Sequence, residues 1–467
     1  MKTLKYMMIA GVMFVAHACT EFDPTADVEN PNLLLSNVIG SPGSTTSWIN
    51  GQERQMAIVY NQLLELTEIG SDNYVNTQTF FNQRFDRLDI TFQETAINTL
   101  QFRIADLRQS ATTGLNDVQP NDPDGTEEQR AELLFYQGWA KLLAGELFVA
   151  LPMTPEGEPM SPEQNINSAI SDFEAAETID GTNVSYKLAL ARAHYYLGNQ
   201  AEAVAKANEV LTLDASYTRR IEFDGPNGPD SDFADALFQR GNFDDLQPLP
   251  RLDFLDPKYR VEGDEESPVY IQKAEEAHLI LAEAALADND LPAAQTQMTN
   301  LLTLVGTRQV DTFDDAVENR ENRPSAVTDQ VRASASDPFI ANLVLSRSSG
   351  DVSIPVISGT SVAQAQIDGL ADVVGALETL YLMRQEIFIA EGRRFVDLGI
   401  KMPVSENEQL INASVTDAHI TPFIPAFVPT NMDEFTYDEA TGEATIAVNM
   451  NNVLVANRTD ASVIPFF

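Results

Sequence analysis

Arg384-Gln-Glu-Ile-Phe-Ile-Ala-Glu-Gly-Arg-Arg-Phe-Val-Asp-Leu398 is the stretch on which the reading of this chain turns. At about 100° per residue, Arg384, Phe388, Glu391, Phe395 and Leu398 fall on one helical stripe, with Ile387 and Arg394 at its edge. A carboxylate flanked by arginines among phenylalanines predicts a buried, ion-paired helix face, because an unpaired charge in such surroundings is too costly to keep. Gly392 falls in the middle of that helix, where it costs roughly 1 kcal/mol against Ala. Another backbone is therefore expected to pass close by. Glu386 and Glu391 on the same helix point about 140° away from each other, so they cannot flank one glycosidic bond.

Upstream, Leu190-Ala191, Gly198 and Ala203 recur as Leu281-Ala282, Asn289 and Ala294 with the same gaps. The unit is helix, tight turn, helix. Small residues let the paired helices approach, and Gly or Asn supplies the left-handed turn between them. The pattern is similar to the tetratricopeptide repeat, without its consensus tryptophan and closing proline. Each pair covers its neighbour's apolar face, so a solenoid results. Before these pairs, Met56, Val59, Leu63 and Leu66 mark a helix over 48–68 stopped by Gly70, and a second helix spans 94–114. Thr126-Glu-Glu-Gln129 and Ser161-Pro-Glu-Gln164 are capping boxes that start two more, with Trp139 at a core spacing. The 220–268 and 307–360 stretches interrupt as long insertions. The first, carrying Phe223 and Phe233, is too long for a passive connector and should pack on the solenoid. Phe435-Thr-Tyr437 and Thr445-Ile-Ala-Val448 around Gly442 read as a small C-terminal hairpin. The fold class is therefore all-α: a tetratricopeptide-like helix-pair solenoid with long loop insertions and that hairpin.

Residues 1–18 read as a leader, with Lys2 and Lys5 ahead of an apolar run that ends in Ala16-His17-Ala18. Cys19, the only cysteine in the chain, stands where the new N-terminus would be. A lone cysteine makes no internal disulfide, and the placement resembles a bacterial lipoprotein box, with acylated Cys19 and plain cleavage after Ala18 as the two readings. Residues 19–47, rich in Pro, Asn, Ser and acid, read as a flexible tether, and 48–467 as one helical domain.

Seventy acidic residues against 29 basic ones give a net charge of −41, which repels nucleic acid. The same acidity, with more arginine than lysine, fits a high-salt habitat or simply an acidic secreted protein. No phosphate-cradling loop, dinucleotide fingerprint, zinc-protease motif or nucleophile elbow occurs, so the sequence points to no cofactor and no metal. Outside the leader, the histidines are His194, His278 and His419, and two of them lie inside the repeat helices. Catalysis has little material, and a non-enzymatic role is expected.

The Arg384–Leu398 stretch resembles the Arg-x-Glu-Leu-x-x-Glu-Gly-x-Arg-x-x-Asp-Leu signature of SusD/RagB-like nutrient-binding outer-membrane lipoproteins, through Arg384, Glu386, Glu391, Gly392, Arg394 and Asp397. The leader with Cys19, the tether and the repeats extend the resemblance over nearly the whole mature chain, and Asn452-Val-Leu-Val-Ala-Asn457 is similar to the family's closing segment without its proline and glutamine. The resemblance implies a SusD-like protein, lipid-anchored on the exterior of the outer membrane, that captures an oligosaccharide or another nutrient and delivers it to a SusC-like TonB-dependent transporter. It supplies no ligand residues. The composition near the N-terminus does: Trp48, Asp72, Asn73, Tyr74 and Phe81 combine rings that stack on sugar C–H faces with groups that take hydroxyl hydrogen bonds. The competing reading of the same residues is turn chemistry and core. The competing reading of the whole is a tetratricopeptide-type scaffold for a protein partner. The signature itself is expected to be structural, an internal ion-paired clamp.

Overall fold

The helix and turn signals between residues 44 and 305 fold into successive antiparallel pairs. The computed structural model describes residues 39–76, 83–238, 246–256, 258, 261–262, 265–314, 323–346 and 350–467; the leader, Cys19 and most of the tether lie outside them. The main helices are α1 (Ser44–Ile69), α2 (Thr95–Thr113), α3 (Glu127–Leu147), α4 (Pro162–Ile179), α5 (Val184–Tyr196), α6 (Gln200–Leu213), α7 (Glu275–Ala287), α8 (Leu291–Val305) and α9 (Val373–Ile387). Helices α3 and α4, α5 and α6, and α7 and α8 pair, and α6 stacks on α7. The turns within the repeats are left-handed as read, with φ of 70° at Gly198 and 60° at Asn289. Small residues at the crossing are fully buried, Ala191 and Ala203 in the first pair and Ala282 and Ala294 in the second. The solenoid and its all-helical class stand.

Both capping boxes form. The Thr126 hydroxyl accepts from the Gln129 N–H at 3.3 Å while the Gln129 side chain accepts from the Thr126 N–H at 3.0 Å. Each box satisfies orphan donors of the first turn reciprocally. Thr126→Ala is expected to cost about 1 kcal/mol, read as a lower urea midpoint at unchanged m-value.

Helix α1 begins at Ser44, inside the stretch read as tether. The cause is remote in sequence. The Asp122 carboxylate accepts from the Gly43 and Thr45 N–H groups at 3.1 and 2.8 Å, capping a helix whose own Gly43 supplies no side chain. Local composition carries no trace of such a cap.

The insertions are ordered by short strands. β1 (Tyr74–Asn76) pairs antiparallel with β3 (Leu246–Pro248), and β2 (Thr218–Ile221) with β4 (Val269–Lys273), and among the described residues of the 220–268 insertion Phe223 and Phe233 are buried, with residues 232–238 against α1. In the second insertion, β5 (Val310–Asp314) pairs with β8 (Asp351–Pro355). The strands β6 (Gln330–Arg332) and β7 (Ile340–Ala341) join the expected hairpin, β9 (Phe435–Asp438) and β10 (Glu443–Ile446), in one four-stranded sheet of order β7-β6-β10-β9. The hairpin is thus larger in context than read, because β6 adds to β10 in parallel. Among the described residues, no helix is long and apolar enough to cross a membrane.

The reading of residues 384–398 as one helix is corrected. Helix α9 ends at Ile387, the chain turns through Ala390 (φ 59°) and Gly392 (φ 73°), and a short helix α10 (Arg394–Asp397) follows. Gly392 is therefore a turn glycine, not a mid-helix one. The close neighbour is a side chain and not, as expected, another backbone: a Cβ at Gly392 would overlap Leu63 Cδ2 of α1. The stripe drawn through Arg384, Glu391 and Leu398 does not exist, and the angle between Glu386 and Glu391 has no helical meaning.

Candidate functional site

Folding the signature back on itself sends its charges in different directions. Arg384 donates from Nε and Nη2 to both oxygens of Asp397 at 2.8 and 2.9 Å. Arg394 holds Asp72 in the same two-pronged way at 2.5 and 2.8 Å. Arg393 reaches Glu276 of α7. Glu391 pairs with lysines and not with arginine: Oε1 accepts from Lys258 and, at 2.7 Å, from Lys273. Glu386 accepts from the Thr360 hydroxyl at 2.7 Å and the Ser361 N–H at 2.8 Å. Glu68 of α1 accepts from the Gly392 N–H and the Asn73 amide, both at 2.8 Å. All these groups are buried except Thr360 and Ser361, which are half-buried. They join α1, α7, α9 and the 258–273 strand region, and every carboxylate among them is held by a donor.

The same network consumes part of the set read as ligand-binding. Asp72 is 4% exposed, and Asn73 and Tyr74 are 0% exposed, so none presents a polar atom to solvent. Trp48 donates its indole N–H to the Ser110 carbonyl at 2.9 Å and lies against Gly114. Phe81 lies outside the described residues. Asp72 is taken up by Arg394 and Gln385 and the Tyr74 ring packs edge-on against Phe233, so this stretch is built into the interior as turn and core.

Two of the buried carboxyls are poised near neutrality. Burial pushes Glu68 and Glu283 up from 4.5 to about 7. Between pH 4.5 and 7 the folded state therefore binds more protons than the unfolded chain, and stability falls as pH rises through that window. Glu68→Gln is expected to flatten part of the slope, which is at most about 1.4 kcal/mol per pH unit for each group. Urea unfolding at pH 5 and pH 8 checks it.

The large concave feature lies on the other side of the signature. A cavity of about 1080 Å³ opens between the end of α5, the Gly198 turn, α10 and the segments 417–423 and 459–467. Its rings are Tyr195, Tyr196, Tyr381, Phe423 and Phe467. Tyr195 and Tyr381 each donate to Glu283 Oε2, at 2.7 and 3.0 Å. The Tyr196 hydroxyl accepts from Arg384 and Arg393 at 3.4 and 3.3 Å, so the signature forms the cleft floor. Phe423 stands 46% exposed at the rim. Lys401 donates to the Gly145 and Glu146 carbonyls at 2.9 and 2.8 Å, and burial lowers its pKa to about 8.

Chemically, this is a surface for holding a ligand. Its interior carboxylates, Glu146 and Asp397, are each held two-pronged by a guanidinium, Arg192 and Arg384. A carboxylate so held is a poor general base or nucleophile. Rings beside hydroxyls and carbonyls suit a ligand with apolar faces and polar edges. Sequence reading missed this site. Its one local trace is the Tyr195-Tyr196 pair at the end of a repeat helix; the rest is assembled from two parts of the chain, 146–198 and 381–467, far apart in sequence.

A scan of protein-family models and a search of curated sequences return no match. Solved structures do match. The chain is similar to a putative sugar binding protein from Bacteroides vulgatus, at 13% identity over 83% of this chain and 98% of that one, with a TM-score of 0.54. A SusD superfamily protein from Bacteroides thetaiotaomicron matches at 11% identity over 81% and 98%, TM-score 0.53. One from Bacteroides fragilis matches at 12% identity over 81% and 100%, TM-score 0.51. At such identities it is the fold that is shared.

Proposed function

We propose that this chain, whose fold is that of the SusD superfamily, is a non-enzymatic binding protein that captures an oligosaccharide in the cleft floored by its signature. The observation that carries the reading is the cleft itself. It is large enough for several sugar rings, the rings of Tyr196, Phe423 and Phe467 reach its surface, and its interior carboxylates are neutralised by arginine. The similar structure described as a sugar binding protein supports the ligand class. Acylation at Cys19 would hold the protein on the outer membrane facing outward, where it would pass ligand to a SusC-like TonB-dependent transporter. The scaffold alternative needs an open groove between α5 and α7, and there the Phe466 ring already packs on Tyr195 at 5.2 Å with its N–H on Glu283.

Glycan arrays followed by calorimetry on the chain from Thr20 test the reading. Phe423→Ala is expected to weaken a captured glycan about tenfold or more, since a stacking ring contributes on the order of 1–2 kcal/mol. Unchanged affinity would move the site elsewhere, and binding of basic peptides in place of glycans would favour the scaffold. Copurification of a large barrel protein from detergent-solubilised membranes tests the transporter partnership.

A further inference from the structure

A second, smaller cavity of about 450 Å³, sharing no lining residue with the cleft, lies between the first half of α1, the β2 strand with its continuation to Pro229, and β4. Its floor is apolar: Met56, Tyr136, Ile221, Phe223 and Ile271 are all buried. Asn50, Glu53 and Arg54 stand at the mouth, at i, i+3 and i+4 of α1, where a helix sets side chains next to one another. All three are exposed, and none makes a side-chain hydrogen bond or ion pair with another described residue. Gly228 lies beside Arg54 at the mouth, since a Cβ there would sit in ordinary contact with Nη2 at 3.5 Å. The opposite lip is already satisfied. Arg220 pairs with Glu222 at 2.6 Å, the Asp224 carboxylate accepts from Asn227, and the Tyr136 hydroxyl accepts from Arg219 at 3.0 Å.

From these groups we infer that the pocket is a separate binding site for one neutral sugar ring. The apolar floor matches a pyranose C–H face. The free amide, carboxylate and guanidinium are planar groups that bridge adjacent hydroxyls, donating and accepting in pairs. Glu53 and Arg54 cancel in charge, Arg220 pairs with Glu222 and Arg219 with Glu132, so no unpaired cation is left to select a uronate, and the Asp224 carboxylate on the far lip is engaged by Asn227. The volume lies within the range of about 300–1,000 Å³ typical of small-ligand pockets and too small for the longer chain the cleft admits. The inference stands on this pocket's own groups and does not depend on the cleft.

Saturation-transfer NMR and calorimetry on the mature chain test it, with the methyl glycosides of glucose, galactose, mannose and xylose as probes and glucuronate and glucosamine as charged counterparts. At least one neutral glycoside is expected to bind. Arg54→Ala and Asn50→Ala, both exposed and outside the core, are expected to weaken it about tenfold each, while Phe423→Ala in the cleft leaves it unchanged. Three results overturn the inference. These are no binding of any neutral glycoside at millimolar concentration, a clear preference for glucuronate or glucosamine, and binding that responds to Phe423→Ala but not to Arg54→Ala. The last would assign the probe to the cleft and leave the oligosaccharide reading standing.

Discussion

Glu391→Ala is expected to destabilise the fold by about 3–5 kcal/mol, the cost of removing one partner of a buried ion pair. Its carboxylate lies between Lys258 and Lys273, whose side chains are 1% and 0% exposed. Truncation leaves two ammonium groups facing apolar surroundings and each other. The pattern alone predicts that an arginine is orphaned, and the difference matters because lysine can shed its proton. Burial already lowers Lys273 to about 8 with Glu391 in place. Without Glu391 it falls further, so this part of the variant's deficit against the parent is full only below the variant's own Lys273 value and is lost as pH rises through about 8, the folded-state value with Glu391 in place. An orphaned arginine would show no such recovery. Thermal and urea unfolding of the variant at pH 7 and pH 9.5 separate the two. A variant that unfolds like the parent at pH 7 would show that Glu391 holds nothing together.

Gly392→Ala is expected to cost about 2–5 kcal/mol by two routes. A side chain at φ 73° meets the backbone penalty of the left-handed region, about 1–2 kcal/mol. The new Cβ also runs into Leu63 Cδ2, and overpacking a filled core costs another 1–3 kcal/mol or so. The two routes can be told apart. Leu63→Ala makes a hole of its own, yet the double variant Leu63→Ala/Gly392→Ala should lose less than the two single losses together, because the overlap is gone and only the backbone penalty stays. Additive losses would place the whole effect in the backbone.

These two residues mark where sequence reading works and where it stops. The charges of Arg384, Glu391, Arg394 and Asp397 among phenylalanines announce burial and pairing, and both are found. Glu391 and Arg394 find Lys258, Lys273 and Asp72, and the neighbouring Arg393 finds Glu276. None of these is within a helical turn, except that Arg384 meets Asp397 across the fold-back. Periodicity over residues 384–398 also favours a continuous helix, since nothing in it but Gly392 breaks one. What breaks it is α1, which passes so close that the chain must turn and offers Glu68 as an acceptor for the freed Gly392 N–H.

The capping boxes, the apolar spacing of α1 to α4 and the left-handed Gly198 and Asn289 turns are interactions among residues a few positions apart. The amino-acid sequence determines them by itself, and with them the helix-pair solenoid. The start of α1 under Asp122, the interior position of Asp72, Asn73 and Tyr74, and both cavities depend on contacts between segments distant along the chain. Only the tertiary structure decides these, because whether a polar side chain faces water or a buried counter-charge is a property of what the rest of the molecule brings to it.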